Sequence, residues 1–286
     1  MKKDRTINGG VYREERALFM LKNAQLFGVD FADGESPLKE SINISLSRSI
    51  FRWKYPLWYA NDVEVFDTRL EETARSGIWY TKNIMMNNCV IDAPKTFRRS
   101  EGISLTQCKL NNAKETFWEC KGIKLNSVKA KGDYFAMNCE DVEIERLELD
   151  GNYFLDGSKN VVVRDSILNS KDSFWNTENV VVINCKIIGE YLGWNSKNIT
   201  FINCEISSLQ ALCYIDGLKM INCKLTDSTL CFEYCTRIDA DIIDEIESVI
   251  NPTSGTIKAA AIKDLIINRN TKSNGKDMKI ITRKKV

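Results

Sequence analysis

Residues 178–196 read ENVVVINCKIIGEYLGWNS, residues 197–215 read KNITFINCEISSLQALCYI, and residues 216–234 read DGLKMINCKLTDSTLCFEY. Each segment is nineteen residues long, and they align without a gap, with Cys185, Cys204 and Cys223 at one shared place. A fixed period of this length marks a repeat architecture, in which a unit buries its apolar face only by stacking on its neighbours. The register holds upstream in KNVVVRDSILNSKDSFWNT (159–177), EDVEIERLELDGNYFLDGS (140–158) and KGIKLNSVKAKGDYFAMNC (121–139). It continues, with lengths of 19 to 21, through units starting at Glu101, Lys82, Asn61, Ile42 and Lys22. Eleven units therefore run from Lys22 to Tyr234.

Inside a unit, position two is Asn, Asp or Gly nearly every time, as in Asn179, Asn198 and Gly217. These residues tolerate left-handed backbone and tight turns. Positions three and five are apolar (Val180 and Val182), and so are positions eight and ten (Cys185 and Ile187). A spacing of two is the strand period, and the switch from odd to even marks a corner. A unit thus reads as three short strands separated by two corners. The expected fold is all-β: a single-stranded right-handed parallel β-helix of about eleven coils plus end caps. A leucine-rich repeat needs an L-x-x-L-x-L core that is missing, and a left-handed hexapeptide helix repeats with a six-residue subperiod that is absent. The chain reads as one domain, with 1–21 a cap or partial coil, 22–234 regular coils, 235–267 further coils or a cap, and 268–286 a polar tail.

Hydrophobic residues make up 43% and charged residues 28% of the chain, as in an ordinary globular protein. Forty basic and 39 acidic residues leave a net charge of +1, which offers no global field for nucleic acid or an anionic membrane, so neither is an expected partner. There is no histidine, which removes His-dependent triads and most catalytic zinc sites. The opening MKKDRTINGGVYREERALFML has an apolar run too short for a signal-peptide core or a membrane span, so the expected location is cytoplasmic. Ten cysteines occur without a single C-x-x-C. Five of them, Cys89, Cys108, Cys185, Cys204 and Cys223, fall at position eight, where stacking makes them an internal ladder of small apolar side chains.

FADGESPLKES (31–41), WKYPLWY (53–59), APKTFRR (93–99), KGDYFAMN (131–138) and EYLGWNSKN (190–198) give the chain a specific resemblance to another group of proteins. Over nearly its whole length it resembles the bacterial family catalogued as domain of unknown function 3737. That family is similar to the pectin-lyase-like β-helix proteins, which implies the fold derived above. The wider superfamily includes pectate lyases and polygalacturonases, so the resemblance implies polysaccharide chemistry and an oligosaccharide partner without naming an activity.

The third segment of each unit carries the unusual chemistry, and all six tryptophans lie in or beside it. If position seventeen points outward, Trp58, Trp175 and Trp194 join Arg98, Met137 and Phe232 in an exposed stripe; if inward, the rings fill a wall. Candidate sugar contacts are Trp58, Trp79, Arg98, Arg99, Trp118, Tyr134, Lys171, Trp175, Asn176, Tyr191, Trp194 and Asn195. Asn138, Asn176 and Asn195 share position eighteen, and the bland reading for them is a corner ladder. Asp133, Asp156, Asp172 and Glu190 lie on successive coils and are the candidate acid and base of a glycoside hydrolase. The bland alternative is a surface charge network around Lys171. A lyase using Lys or Arg as base is a further reading, and a non-catalytic sugar- or protein-binding scaffold another. No D-x-D-x-D-G calcium loop occurs, so no metal or cofactor is called for.

Overall fold

The computed structural model describes residues 2–268 and 275–283, and every regular element among them is a strand. The chain forms a parallel β-helix of about 14 turns, three more than the eleven regular units of the sequence. It divides into two compact units, residues 1–149 and 150–286.

In the first unit, Arg5–Asn8 pairs in parallel with Lys22–Phe27, and the ladder continues through Ile42–Ser47, Asn61–Phe66, Lys82–Asn87, Glu101–Thr106 and Lys121–Lys131. A second ladder of two-residue strands climbs alongside, from Val11–Tyr12 and Asp30–Phe31 to Lys109–Leu110. Residues 5–12 thus already carry both strands of a coil. Partners are 19 to 21 residues apart, so like positions superpose and the apolar ones form internal columns. Phe31, Phe51, Leu70, Ile91 and Leu110 are one such column, each at most 1% exposed.

In the second unit the first ladder runs through Lys159–Arg164, Glu178–Ile183, Lys197–Ile202 and Asp216–Leu225 to Ile238–Ile242, Ser254–Ala259 and Asp277–Thr282. The segment read as a polar tail therefore contributes a strand at 277–282. Its residues 269–274 and 284–286 lie outside the described residues. One coil is longer than its sequence unit: Leu209 bridges Thr229 and Asp216 bridges Thr236, both twenty apart. The extra residue moves Phe232 into the core at 0% exposure, so it leaves the expected outer stripe, and Glu233 takes the outward place.

The third segment differs from the short strand read in the sequence. Among the described residues, regular pairing there joins only Ile78–Trp79 with Phe97–Arg98 and, near the end of the stack, Ile246–Ile250 with Ile262–Ile266. Elsewhere residues turn in pairs: Lys171 and Asp172 face out, Ser173 and Phe174 in, Trp175 and Asn176 out. The second residue of each pair has positive φ, 55° at Asp172, 62° at Phe174 and 53° at Asn176. That alternation squares the chain into a tight corner instead of extending it. Backbone bonds still join successive coils, as in Phe174 N to Phe154 O at 2.9 Å and Asn176 N to Trp194 O at 2.8 Å.

All ten cysteines are buried, and none is joined in a disulfide. No helix among the described residues is long and apolar enough to cross a membrane.

Candidate functional site

Position seventeen points outward on the third segment, and the tryptophans there are half-buried. In residues 1–149, the Trp58 indole donates to Ser76 O at 2.5 Å, Trp79 to Lys95 O at 2.8 Å and Trp118 to Tyr134 O at 2.9 Å. Each ring is thereby tied to the backbone of the coil above. Trp58 and Trp79 stack at 5.3 Å with planes 8° apart. The Arg98 guanidinium then fills the gap between two indoles, 4.7 Å from the Trp79 centroid and 4.6 Å from that of Trp118. Rings on neighbouring coils cover one another's faces, so this column presents edges to solvent. Tyr134 lies edge-on to Trp118 at 6.4 Å. Arg99 pairs with Glu119 at 2.6 Å, and Lys95 with Glu115 at 2.9 Å. Asp133 is half-buried in the last coils of this unit, where its carbonyl accepts from Glu115 N at 2.9 Å.

Residues 150–234 assemble the remaining candidates on one face. Trp175 donates its indole N–H across the segment to Tyr191 O at 2.6 Å. Trp175 and Trp194 lie 6.0 Å apart with planes 40° apart, and Trp194 packs on Tyr214 at 4.3 Å and 33°. These tilted rings overlap less completely than the Trp58 and Trp79 pair.

Beside them stands the carboxylate pair. Asp172 N donates to Glu190 O at 2.8 Å, which fixes the two residues on adjacent coils. Gly189 makes this approach possible, because a Cβ there would lie 2.2 Å from Ser170 O. Glu190 is held by Lys171 at 2.7 Å in a pair whose side chains are 32% and 54% exposed. That ion pair raises the Lys171 ammonium above its ordinary value. Burial, and secondarily the charge of Glu190, raises the Asp172 carboxyl, with Lys171 opposing. The pair therefore contains one carboxyl biased toward its protonated form beside a second one clamped by a cation.

Asp156 belongs to a different part of the face. It accepts from Asn176 Nδ2 at 2.8 Å, and Asn176 Oδ1 accepts from Asn195 Nδ2 at 3.0 Å. Asn176 and Asn195 thus form a corner ladder, as similar ladders do at position two (Asn198 to Asn179, 3.2 Å) and position seven (Asn203 to Asn184, 3.1 Å). All these asparagines have positive φ, the conformation Asn tolerates better than most residues.

Three further residues extend the face: Gln210, Glu233 and Tyr214. Gln210 donates to Glu233, and the burial and Glu233 charge around Tyr214 raise its phenol. Tyr214 and Glu233 already stand in the third segment of their sequence units; the extra residue after Leu225 displaces Glu233 by one place, and the bridge of Leu209 to Thr229 restores its register.

Known structures with a similar coil path share little sequence. A tailspike double mutant of the E. coli bacteriophage HK620 matches at 10% identity and a TM-score of 0.45, over 96% of this chain and 73% of that one. The A-module of the Azotobacter vinelandii mannuronan C-5 epimerase AlgE6 matches at 11% and 0.44, over 93% and 91%. The surface adhesin PfbA of Streptococcus pneumoniae matches at 8% and 0.40, over 92% and 81%. At these values the likeness says nothing of chemistry. Among curated proteins none matches. The model of a protein family of unknown function, DUF3737, matches residues 5–281, nearly the full length, and the chain belongs to that family.

Proposed function

We propose that the protein is a carbohydrate-active β-helix protein, a glycoside hydrolase whose working face is the third segment of residues 150–234. Asp172 acts as the general acid and Glu190 as its carboxylate partner. The observation that carries this reading is the raised Asp172 carboxyl on the coil next to a Glu190 held by Lys171. Environments that separate the protonation of two neighbouring carboxyls are how acid and base roles are assigned. Adjacent coils stand about 4.8 Å apart, close to the roughly 5–5.5 Å between the two carboxyls of retaining enzymes, so retention is the expected outcome. Trp175, Trp194 and Tyr214 border the pair with partly uncovered rings, and one sugar unit spans about one coil spacing.

The test is a panel of neutral oligosaccharides and oligouronates, screened first by thermal stabilisation, since a bound ligand raises apparent stability by mass action. On any substrate that turns over, Asp172→Asn and Glu190→Gln should each lower kcat by about 10²-fold or more. Full turnover in both variants removes the two residues from the mechanism. The second reading, a non-catalytic binding scaffold, is favoured by the ion pair of Lys171 with Glu190, which occupies one of the two carboxylates beside partly uncovered rings. Stabilisation by a sugar in the wild type and both variants, with no turnover in any, selects it.

A further inference from the structure

Position eight carries an internal column that the outer face does not use. Cys185, Cys204 and Cys223 occupy it on three successive coils, at 3%, 2% and 0% exposure. The backbone holds them in register, with Glu205 N donating to Cys185 O at 3.0 Å and Lys224 N to Cys204 O at 2.9 Å. Strand spacing then sets their Cα atoms about 4.8 Å apart, inside the roughly 4.4–6.8 Å window of disulfide-linked cysteines.

The side chains also point one way. Each Sγ lies against the carbonyl two residues before it and the one twenty-two residues before it. For Cys204 these are Ile202 O at 3.3 Å and Val182 O at 3.4 Å; for Cys223, Ile221 O and Phe201 O, both at 3.4 Å. Cys185 sits 3.2 Å from Ile183 O and 3.9 Å from Val163 O. The three sulfurs therefore repeat along the coil axis, with Cys204 on the coil between the other two. The bond from Cys204 draws the Cys185 thiol below its ordinary value, whereas Cys204 is pushed up to about 11, so Cys185 ionises first.

We propose that Cys185, Cys204 and Cys223 form a two-electron redox site, in which a peroxide joins two neighbouring coils by one disulfide and leaves the third thiol as an exchange partner. The Cys185 thiolate attacks a peroxide oxygen, giving a sulfenic acid and, with its proton, one water (for hydrogen peroxide). The Cys204 sulfur then attacks the sulfenic sulfur, and the S–S bond forms as hydroxide leaves and takes the Cys204 proton. Two thiols are oxidised, hydrogen peroxide is reduced to two waters, and the Cβ atoms close by less than about 1 Å to reach disulfide geometry. Exchange follows the same axis. The Cys223 sulfur attacks Cys204 in line with the existing bond, and its proton passes to the departing Cys185 sulfur, which moves the disulfide one coil along.

The experiment treats the folded full chain with hydrogen peroxide, then alkylates under denaturation and maps peptides without reduction. Cys185–Cys204 and Cys204–Cys223 links are expected, with loss of two of the three alkylatable ladder thiols per molecule and recovery on adding a reducing thiol. A Cys185–Cys223 link is not expected, because two coil spacings, about 9.6 Å, exceed disulfide reach. Among positions 185, 204 and 223, Cys204→Ala should form no link, and Cys223→Ala should form only Cys185–Cys204. If Cys204→Ala does not fold, the wild type and Cys223→Ala decide. Three fully alkylated ladder thiols after treatment, irreversible over-oxidation in place of links, or a Cys185–Cys223 link would each overturn the proposal.

Discussion

Two outward aromatic columns, one in each unit, start from the same position in the coil and differ in how they are completed. Trp58 and Trp79 lie nearly parallel, Arg98 fills the one non-aromatic step before Trp118, and the indole N–H groups are tied to backbone carbonyls. From Trp175 to Tyr234 the rings are tilted by 33° to 46°, and acids flank them at Asp156, Asp172, Glu190 and Glu233. The first column spends its aromatic faces on itself. The second keeps surface and charge available. Position in a repeat sets where a side chain points, while its neighbours one coil away set what it can still bind.

The largest expected effects test how closely the coils approach in each unit. A methyl group at Gly189 would meet Ser170 O at 2.2 Å, and one at Gly132 would meet Lys114 N at 2.5 Å on a backbone with φ of 145°. Both clashes are with backbone atoms, which move only if the coil itself shifts. Gly189→Ala and Gly132→Ala should each cost about 3 kcal/mol or more, read as a fall in the denaturation midpoint. Gly189→Ala should also abolish any turnover, because it separates Asp172 from Glu190. Equal loss of turnover from Gly132→Ala would show that the two columns do not act separately.

Next in size are the rings themselves. Trp79→Ala removes a parallel stack, a guanidinium contact and a hydrogen bond to Lys95 O, and should cost about 3 kcal/mol. Trp194→Ala removes tilted contacts with Trp175 and Tyr214 and should cost about half as much. Its main effect should instead fall on sugar binding, measured by ligand-induced thermal stabilisation. The reverse ranking of the two stabilities would erase the distinction between a structural and an available column.

The repeat was legible because its signal is redundant. Val180, Ile199 and Leu218 occupy one place on three coils, as do Cys185, Cys204 and Cys223, so a fold follows from alignment alone. The facing of Trp175 and Trp194 was not legible. Strand parity assumes that side chains alternate, whereas the third segment turns in pairs, set by left-handed residues such as Asp172, Phe174 and Asn176. Bulky residues are rarely found in that conformation, so nothing local announces it. The carboxylates were found as residues on successive coils. The Lys171 clamp on Glu190, the hydrogen bond from Asn176 to Asp156 and the place of Glu233 depend on cross-coil geometry and a one-residue insertion.

The smallest expected effect is the most specific to the second column. Asp172 has a raised carboxyl in the folded state, so its neutral form is favoured by folding. Stability from this group is fully present below the ordinary Asp value and is lost as pH rises through the raised one. Asp172→Asn, which keeps an uncharged side chain suited to the positive φ of 55°, should therefore be slightly more stable than wild type at pH 7. The gain should vanish below about pH 3.8, the unshifted value. Asp172 is half-buried and its carboxyl still reaches solvent, so screening keeps the difference modest. Asp216 supplies the opposite sign: hydrogen bonds from Arg237 and Thr236 hold its carboxyl below the ordinary value. Asp216→Asn should lose stability at neutral pH, and that loss should fade as pH falls through the lowered value. Midpoints measured from pH 3 to 8 separate the two cases, and a variant pair that shifts in the same direction would remove the electrostatic basis for treating Asp172 as an acid.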